Sequence, residues 1–199
     1  MFPRFALLAC LVFTVVTACS HTLPPVKDGD IVFQTSRSSQ SLAVRHATHS
    51  RYSHMGIVFI RHGQPDVFEA SATVHYTPLA KWIARGVHGK VVIKRLRQGL
   101  TTAQVRRLRA VARHFSGKPY DLTFEWSDSR IYCSELVWKI YDRALGVRIG
   151  KLQKLREFDL SDPAVRTKIK ERYGDAVPMD ETVISPAAMY ISPLLVRVK

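Results

Sequence analysis

The sequence predicts an α+β fold, an antiparallel sheet packed against helices, and three observations carry that prediction. Short apolar runs separated by turn signals fill the first half of the chain. Clear amphipathic runs at helical spacing follow in the second half. The 199 residues, 46% hydrophobic and 23% charged, suit one domain with a proper core and leave little room for two.

Residues 1–18 read as a signal peptide of lipoprotein type. Arg4 supplies a short positive region, and Phe5 to Val16 form an apolar stretch too short for a permanent membrane span. The stretch ends in Val16-Thr17-Ala18-Cys19, which is similar to a bacterial lipobox, with cleavage before Cys19 and lipid attached to its sulfur. An ordinary secretory leader cut near the same place is the alternative. Residues 19–28, stiffened by Pro24-Pro25, are expected to be a tether, and residues 29–199 the folded domain.

Gly29-Asp30 signals a turn before a first strand, Ile31 to Gln34. Ser36 to Ser41 offer caps for a helix carrying Leu42, Ala43, His46 and Ala47 on one side. His54 stands at the mouth of a strand, Met55 to Ile60. Arg61 to Asp66 then make a hairpin turn into Val67 to Ala70, and Val74 to Tyr76 extend the sheet. Thr77-Pro78 starts a helix bearing Leu79, Trp82 and Ile83, and Val91 to Leu96 form another strand. Thr101 or Thr102 caps a helix with Val105, Leu108, Val111, Ala112 and Phe115 on one face and arginines on the other. Tyr120 to Arg130 read as an aromatic loop. A helix from Cys133 to Leu145 turns Leu136, Val137, Ile140, Tyr141 and Ala144 inward and stops at Gly146. Asp162-Pro163 and Ser185-Pro186 open two short helices in the tail.

The formal net charge is +14; removing residues 1–18 takes away only Arg4 and leaves +13. In a cytosolic protein that balance points to nucleic acid. In an exported one the partners are anionic lipid head groups and acidic cell-wall polymer, so no nucleic acid is expected. Export also isolates Cys133. Cys10 leaves with the leader, Cys19 is lipidated or terminal, and Cys133 keeps no disulfide partner in a compartment where pairing is the norm. Such a thiol is either buried as a small apolar residue or reactive.

Cys133 opens its helix, where unpaired N–H groups and the dipole favour the thiolate that acts as nucleophile. His54, on a strand edge, is the base best placed to activate it, and Glu69 in the next hairpin strand needs a partner to justify its apolar surroundings. Across the hairpin His54 and Glu69 sit side by side, so Glu69 accepts the second imidazole N–H. Each residue also has a structural reading, as core thiol, packed histidine or solvent-facing carboxylate. His46, His49 and His54 share the spacing H-x-x-H-x-x-x-x-H, but no Glu or Cys completes a zinc motif, so neither metal nor cofactor is expected.

These residues resemble a family. Gly29-Asp30-Ile31-Val32, Ser53-His54-Met55-Gly56, Phe68-Glu69-Ala70, Gly117-Lys118-Pro119-Tyr120-Asp121 and Tyr132-Cys133-Ser134-Glu135 are similar to the YiiX/YebB branch of the permuted NlpC-type papain-like cysteine hydrolases. The resemblance spans about residues 27–195, with Glu157-Phe158-Asp159-Leu160 and Thr182-Val183-Ile184-Ser185-Pro186 near its end. It implies a circularly permuted papain-like fold in which the sheet carrying the histidine precedes the cysteine helix. It further implies Cys133 as nucleophile, His54 as base, Glu69 as the orienting residue, and Tyr120 at the oxyanion site. Ser134, beside the nucleophile, is a further candidate for lining that site.

The expected activity is a cell-envelope cysteine hydrolase acting on an amide or ester through an acyl-enzyme, anchored by lipid and facing the periplasm. A peptidoglycan stem peptide is the first candidate substrate. The alternatives are a lipid amide or ester hydrolase or acyltransferase, distinguished by a long apolar channel beside Cys133, and a non-catalytic envelope-binding lipoprotein.

Overall fold

Turn chemistry sets the geometry of the first hairpin. In the computed structural model, which describes residues 23–199, His62 and Gly63 both take positive φ (51° and 75°). Two such residues form the tight primed turn that matches strand twist. The turn is therefore narrower than the expected Arg61–Asp66 segment. The strands run up to it as β2 (His54–Arg61) and β3 (Gln64–Ala70), with Arg61 opposite Gln64.

Around this hairpin stands a six-stranded antiparallel sheet of order β4-β3-β2-β1-β5-β8. Its other members are β1 (Ile31–Gln34), β4 (Val74–Pro78), β5 (Val92–Leu96) and β8 (Leu195–Arg197). β1 lies between β2 and β5, with Ile31 opposite both Ile57 and Lys94. The edge strand β8 and a small two-stranded ladder, β6 (Gln153–Lys154) with β7 (Thr182–Val183), are absent from the sequence expectations. At two or three residues each, they are too short to show a period of their own.

The helices are α1 (Ser39–Thr48), α2 (Leu79–Ala84), α3 (Thr102–Phe115), α4 (Cys133–Leu145), α5 (Pro163–Tyr173) and α6 (Pro186–Tyr190). Their starts are chemically specified. Ser38 Oγ accepts from the Ser41 N–H (3.1 Å), and Asp162 Oδ1 from the Ala164 N–H (2.8 Å). Thr101 and Gln104 cap α3 reciprocally, at 3.3 and 2.8 Å. Along α1 Ala43 is buried, whereas Leu42, expected on the same inward side, faces solvent.

Strand alternation divides the core in two. Ile31, Phe33, Met55, Ile57, Phe59 and Phe68 point to one face and pack against α3 and α4 through Leu108, Phe115, Leu136 and Ile140. Val32, Val58, Val67 and Ile93 point to the other, which α2 covers with Leu79 and Trp82. Each such fully buried side chain contributes about 1.5–3 kcal/mol relative to exposure. Of the expected leader and tether, residues 1–22, with Cys19, lie outside the described residues. The rest of the tether is docked onto the body: Val26 packs on the α2 face, and Asp28 Oδ1 accepts from the Ile60 N–H (2.9 Å) and from Arg109.

Candidate active site

Cys133 is the first residue of α4, after Tyr132 in extended conformation (φ −99°, ψ 167°). Glu135, at the third helical position, reaches back to the Tyr132 N–H (3.4 Å), and Gly146 ends the helix in the left-handed region (φ 67°). The helix start is pinned from two directions to the segment after β7. The Tyr132 hydroxyl accepts from the Ile184 N–H (3.1 Å), and Ser134 Oγ donates to the Ile184 carbonyl (2.8 Å). Lys139 Nζ lies 2.7 Å from Glu135 Oε1 and ties the helix to the preceding loop through Ser127 O and Asp128. Cys133 is 4% exposed, and its backbone N–H is one of the donors that a helix start leaves unpaired.

The β2–β3 register places the other two residues. Ile57 faces Phe68, so Gly56 lies beside Glu69, and a Cβ at Gly56 would stand 3.2 Å from Glu69 Cβ. His54, two residues from Gly56, shares its face. His54 Nε2 and Glu69 Oε2 are 2.5 Å apart. Glu69 is fully buried yet fully engaged: Oε2 also accepts from Trp82 Nε1 (2.9 Å) and Arg85, and Oε1 from Thr77 Oγ1 (2.6 Å). Burial pushes this carboxyl up, but hydrogen bonding and charge from His54, with Thr77 and Arg85 behind, bring it down to about 2. Glu69 is therefore an anion at any working pH.

Glu69 and His54 project from the face that α2 covers, whereas α4 packs on the opposite face. His54 bridges the two because it is the first residue of β2 and its ring stands at the sheet's end. Burial works against a charged ring, but hydrogen bonds to Cys133 and to Glu69, and the charges of both, raise its pKa from 6.5 to about 9. With Nε2 held by Glu69, Nδ1 is the nitrogen left for the thiol. Trp82 stacks on the ring at 5.8 Å and 26° and fixes its plane.

Tyr120 is half-buried and lines the same pocket as Cys133. Burial and the Cys133 charge hold its phenol well above its ordinary pKa, so it stays protonated. Gln40 Nε2 donates to its oxygen (2.9 Å), which leaves the phenolic proton free to donate elsewhere. The structure thus gathers Cys133, His54, Glu69 and Tyr120 at one place. Ser134 is adjacent, but its hydroxyl is committed to Ile184. Four residues that the sequence assigned no role in the site complete it: Trp82, Arg85 and Thr77 around Glu69, and Gln40 on Tyr120. Only the apolar spacing of Trp82 was visible in the chain, and it marked core, not a carboxylate partner.

The pocket beside Cys133 is narrow, about 90 Å³, and almost wholly apolar. Ala43, Val44 and Ala47 of α1, Val165 and Ile169 of α5, and Leu155, Phe158 and Val183 form its apolar walls, and Lys168 and Arg172 also line it. No helix among the described residues is long and apolar enough to cross a membrane.

The family model for the permuted papain-like amidase enzymes, YaeF/YiiX, C92 family, matches residues 25–199. YiiX of Escherichia coli K12 is 55% identical over 170 residues, which cover 85% of this chain and 84% of YiiX. The crystal structure of metalloprotein yiiX from Escherichia coli O157:H7 superposes with a TM-score of 0.85 at 54% identity, covering 87% of this chain and 96% of that one. Among the described residues no group of three or more His, Cys, Asp or Glu could hold an ion. His46 and His49 are instead each turned to an aspartate, Asp162 (2.7 Å) and Asp159 (3.2 Å).

Proposed function

The chain belongs to the permuted papain-like amidase family of YaeF/YiiX type, and from that premise we propose that it hydrolyses an amide or ester whose acyl part is apolar, with Cys133, His54 and Glu69 as its triad. The observation that carries this reading is the position of Cys133, in the wall of an apolar pocket and beside a histidine that a buried carboxylate holds.

In the proposed reaction the Cys133 thiolate attacks the carbonyl carbon and forms a C–S bond. The charge moves to the carbonyl oxygen, for which the Cys133 N–H and the Tyr120 hydroxyl are the proposed donors. Collapse of this intermediate breaks the C–N or C–O bond as the His54 imidazolium gives its proton to the leaving atom. Water then attacks the thioester, His54 takes its proton, and the C–S bond breaks to release the acid. Glu69 holds the ring orientation and stabilises its charge.

The pocket supports an acyl chain from a lipid amide or ester over a peptidoglycan stem peptide, because a peptide there would leave its polar groups unpaired against apolar walls. The leader pattern in residues 1–18 supports export and lipid attachment at Cys19, with the domain facing the periplasm; palmitate labelling that Cys19→Ser removes is the expected outcome.

Alkylation of Cys133 by iodoacetamide tests the triad. The thiol is expected to react at neutral pH, and His54→Ala to slow that reaction by about 10²-fold or more. A thiol indifferent to His54→Ala would overturn the reading and leave a binding protein.

A further inference from the structure

Two unlike cavities adjoin the Cys133 and His54 pair, and their walls share Gln40, Ser53 and Tyr120. The apolar pocket contains Cys133. On the other side, a cleft of about 360 Å³ contains His54 and is walled by polar side chains, among them Ser36, Arg37, Ser71 and Arg85. Among the described residues no acidic side chain lines it. Both arginines line this cleft: Arg37 donates to the Gly86 carbonyl (3.3 Å), and Arg85 is the residue before Gly86 in the chain. Arg85 rests on Glu69, whose charge His54 already shares. Arg37 pairs with no carboxylate among the described residues.

Chemistry fixes which part of a substrate lies on which side. The leaving atom must stand beside the imidazolium that protonates it, so the acyl part extends into the pocket of Cys133 and the leaving part into the cleft of His54. We propose that the cleft is the leaving-group site and that it selects a leaving amine or alcohol carrying an anionic group, phosphate or carboxylate, held by Arg37 together with Arg85. A guanidinium fork suits either anion, and the surrounding hydroxyls supply further donors. This assignment rests on the acyl-enzyme reading above. It adds a second requirement to the substrate: an apolar chain on one side of the scissile bond and a negative charge on the other.

Three amides test it: N-octanoylethanolamine, N-octanoylglycine and N-octanoyl-O-phosphoethanolamine, which share an acyl chain and differ in the leaving group. In the wild-type protein at least one anionic amide is expected to exceed the neutral one in kcat/KM by about tenfold. Arg37→Gln is expected to abolish that preference, lowering kcat/KM for the anionic amide about tenfold to the level of the neutral one. Whichever anion wins identifies the source of the charge. Equal wild-type rates, or a preference that survives Arg37→Gln, would overturn the proposal. A second measurement separates it from the hydrolysis reading. O-phosphoethanolamine or glycine, but not ethanolamine, is expected to slow iodoacetamide alkylation of Cys133, and Arg37→Gln to remove that protection. Alkylation that neither anion slows would sink the site even if the amides are hydrolysed.

Discussion

At the residue scale, the charged state of His54 sets the pH range of the proposed chemistry. Cys133 and Glu69 together outweigh the burial penalty and hold the ring's pKa at about 9 against 6.5 unfolded. The stabilisation of the fold by this imidazolium is fully present below about pH 6.5 and is lost as pH rises through about 9. The proton for the leaving atom disappears over the same interval. The expected kcat/KM therefore falls on the alkaline side with a midpoint near pH 9. Glu69→Gln removes the carboxylate charge and is expected to move that midpoint down toward 6.5. A pH–rate profile of both proteins on N-octanoylethanolamine checks this, and an unmoved alkaline limb would show that Glu69 does not act through the ring. Glu69 itself, at about 2, contributes no limb in the measured range.

At the element scale, the β2–β3 hairpin aligns the pair, and Gly56 is where the alignment is most sensitive. A Cβ there would approach Phe68 O to 2.8 Å and Val67 Cγ1 to 2.5 Å, as well as crowding Glu69. Two of these neighbours belong to β3 backbone or core and have nowhere to go. Gly56→Ala is expected to cost about 1–3 kcal/mol by overpacking and to lower kcat as Glu69 shifts from His54. Gly63, in the turn of the same hairpin, has open space around it and only its positive φ (75°) to satisfy. Gly63→Ala is expected to cost about 1–2 kcal/mol with kcat unchanged. Urea denaturation with parallel assays separates the two, and equal kcat losses would contradict the register argument.

At the scale of the whole molecule, the apolar pocket is made by α5 lying across α1. The contact is held by His46 with Asp162, His49 with Asp159, and the Asp159 N–H donating to the Ala47 carbonyl (3.1 Å). Asp162 also caps α5, so one side chain both starts the helix and docks it. Filling the pocket should separate acyl recognition from thiol chemistry. Ala43→Phe is expected to lower kcat/KM for octanoyl amides by about tenfold or more while iodoacetamide reactivity of Cys133 stays unchanged. A comparison of acetyl and octanoyl amides provides the check. Equal losses on both chain lengths would mean that the acyl group lies elsewhere.

Local chemistry wrote much of this protein into its sequence. Strand β1, helices α3 and α4, the caps at Ser38, Thr101 and Asp162, and the stop at Gly146 follow from periodicity and terminus signals that act over a few residues. The pairing of His54 with Glu69 was legible too, because both lie on one hairpin and a short turn fixes register. The short strands β6, β7 and β8 were not, since their partners are supplied by distant segments. Nor were the donors around Glu69. Trp82 and Arg85 reach it only because α2 folds back over the sheet, and their spacing in the chain records an apolar stripe and a surface cation. The two cavities beside Cys133 lie furthest from sequence reasoning. One is apolar because α1 and the start of α5, joined by His46 and Asp162, close over it; the other is basic because Arg37, docked on the Gly86 carbonyl, and Arg85 both line it. Sequence determined which side chains are the candidates for the proposed chemistry. Only the tertiary structure decided what surrounds them, because burial and charge at a site are sums over segments that the chain itself keeps apart.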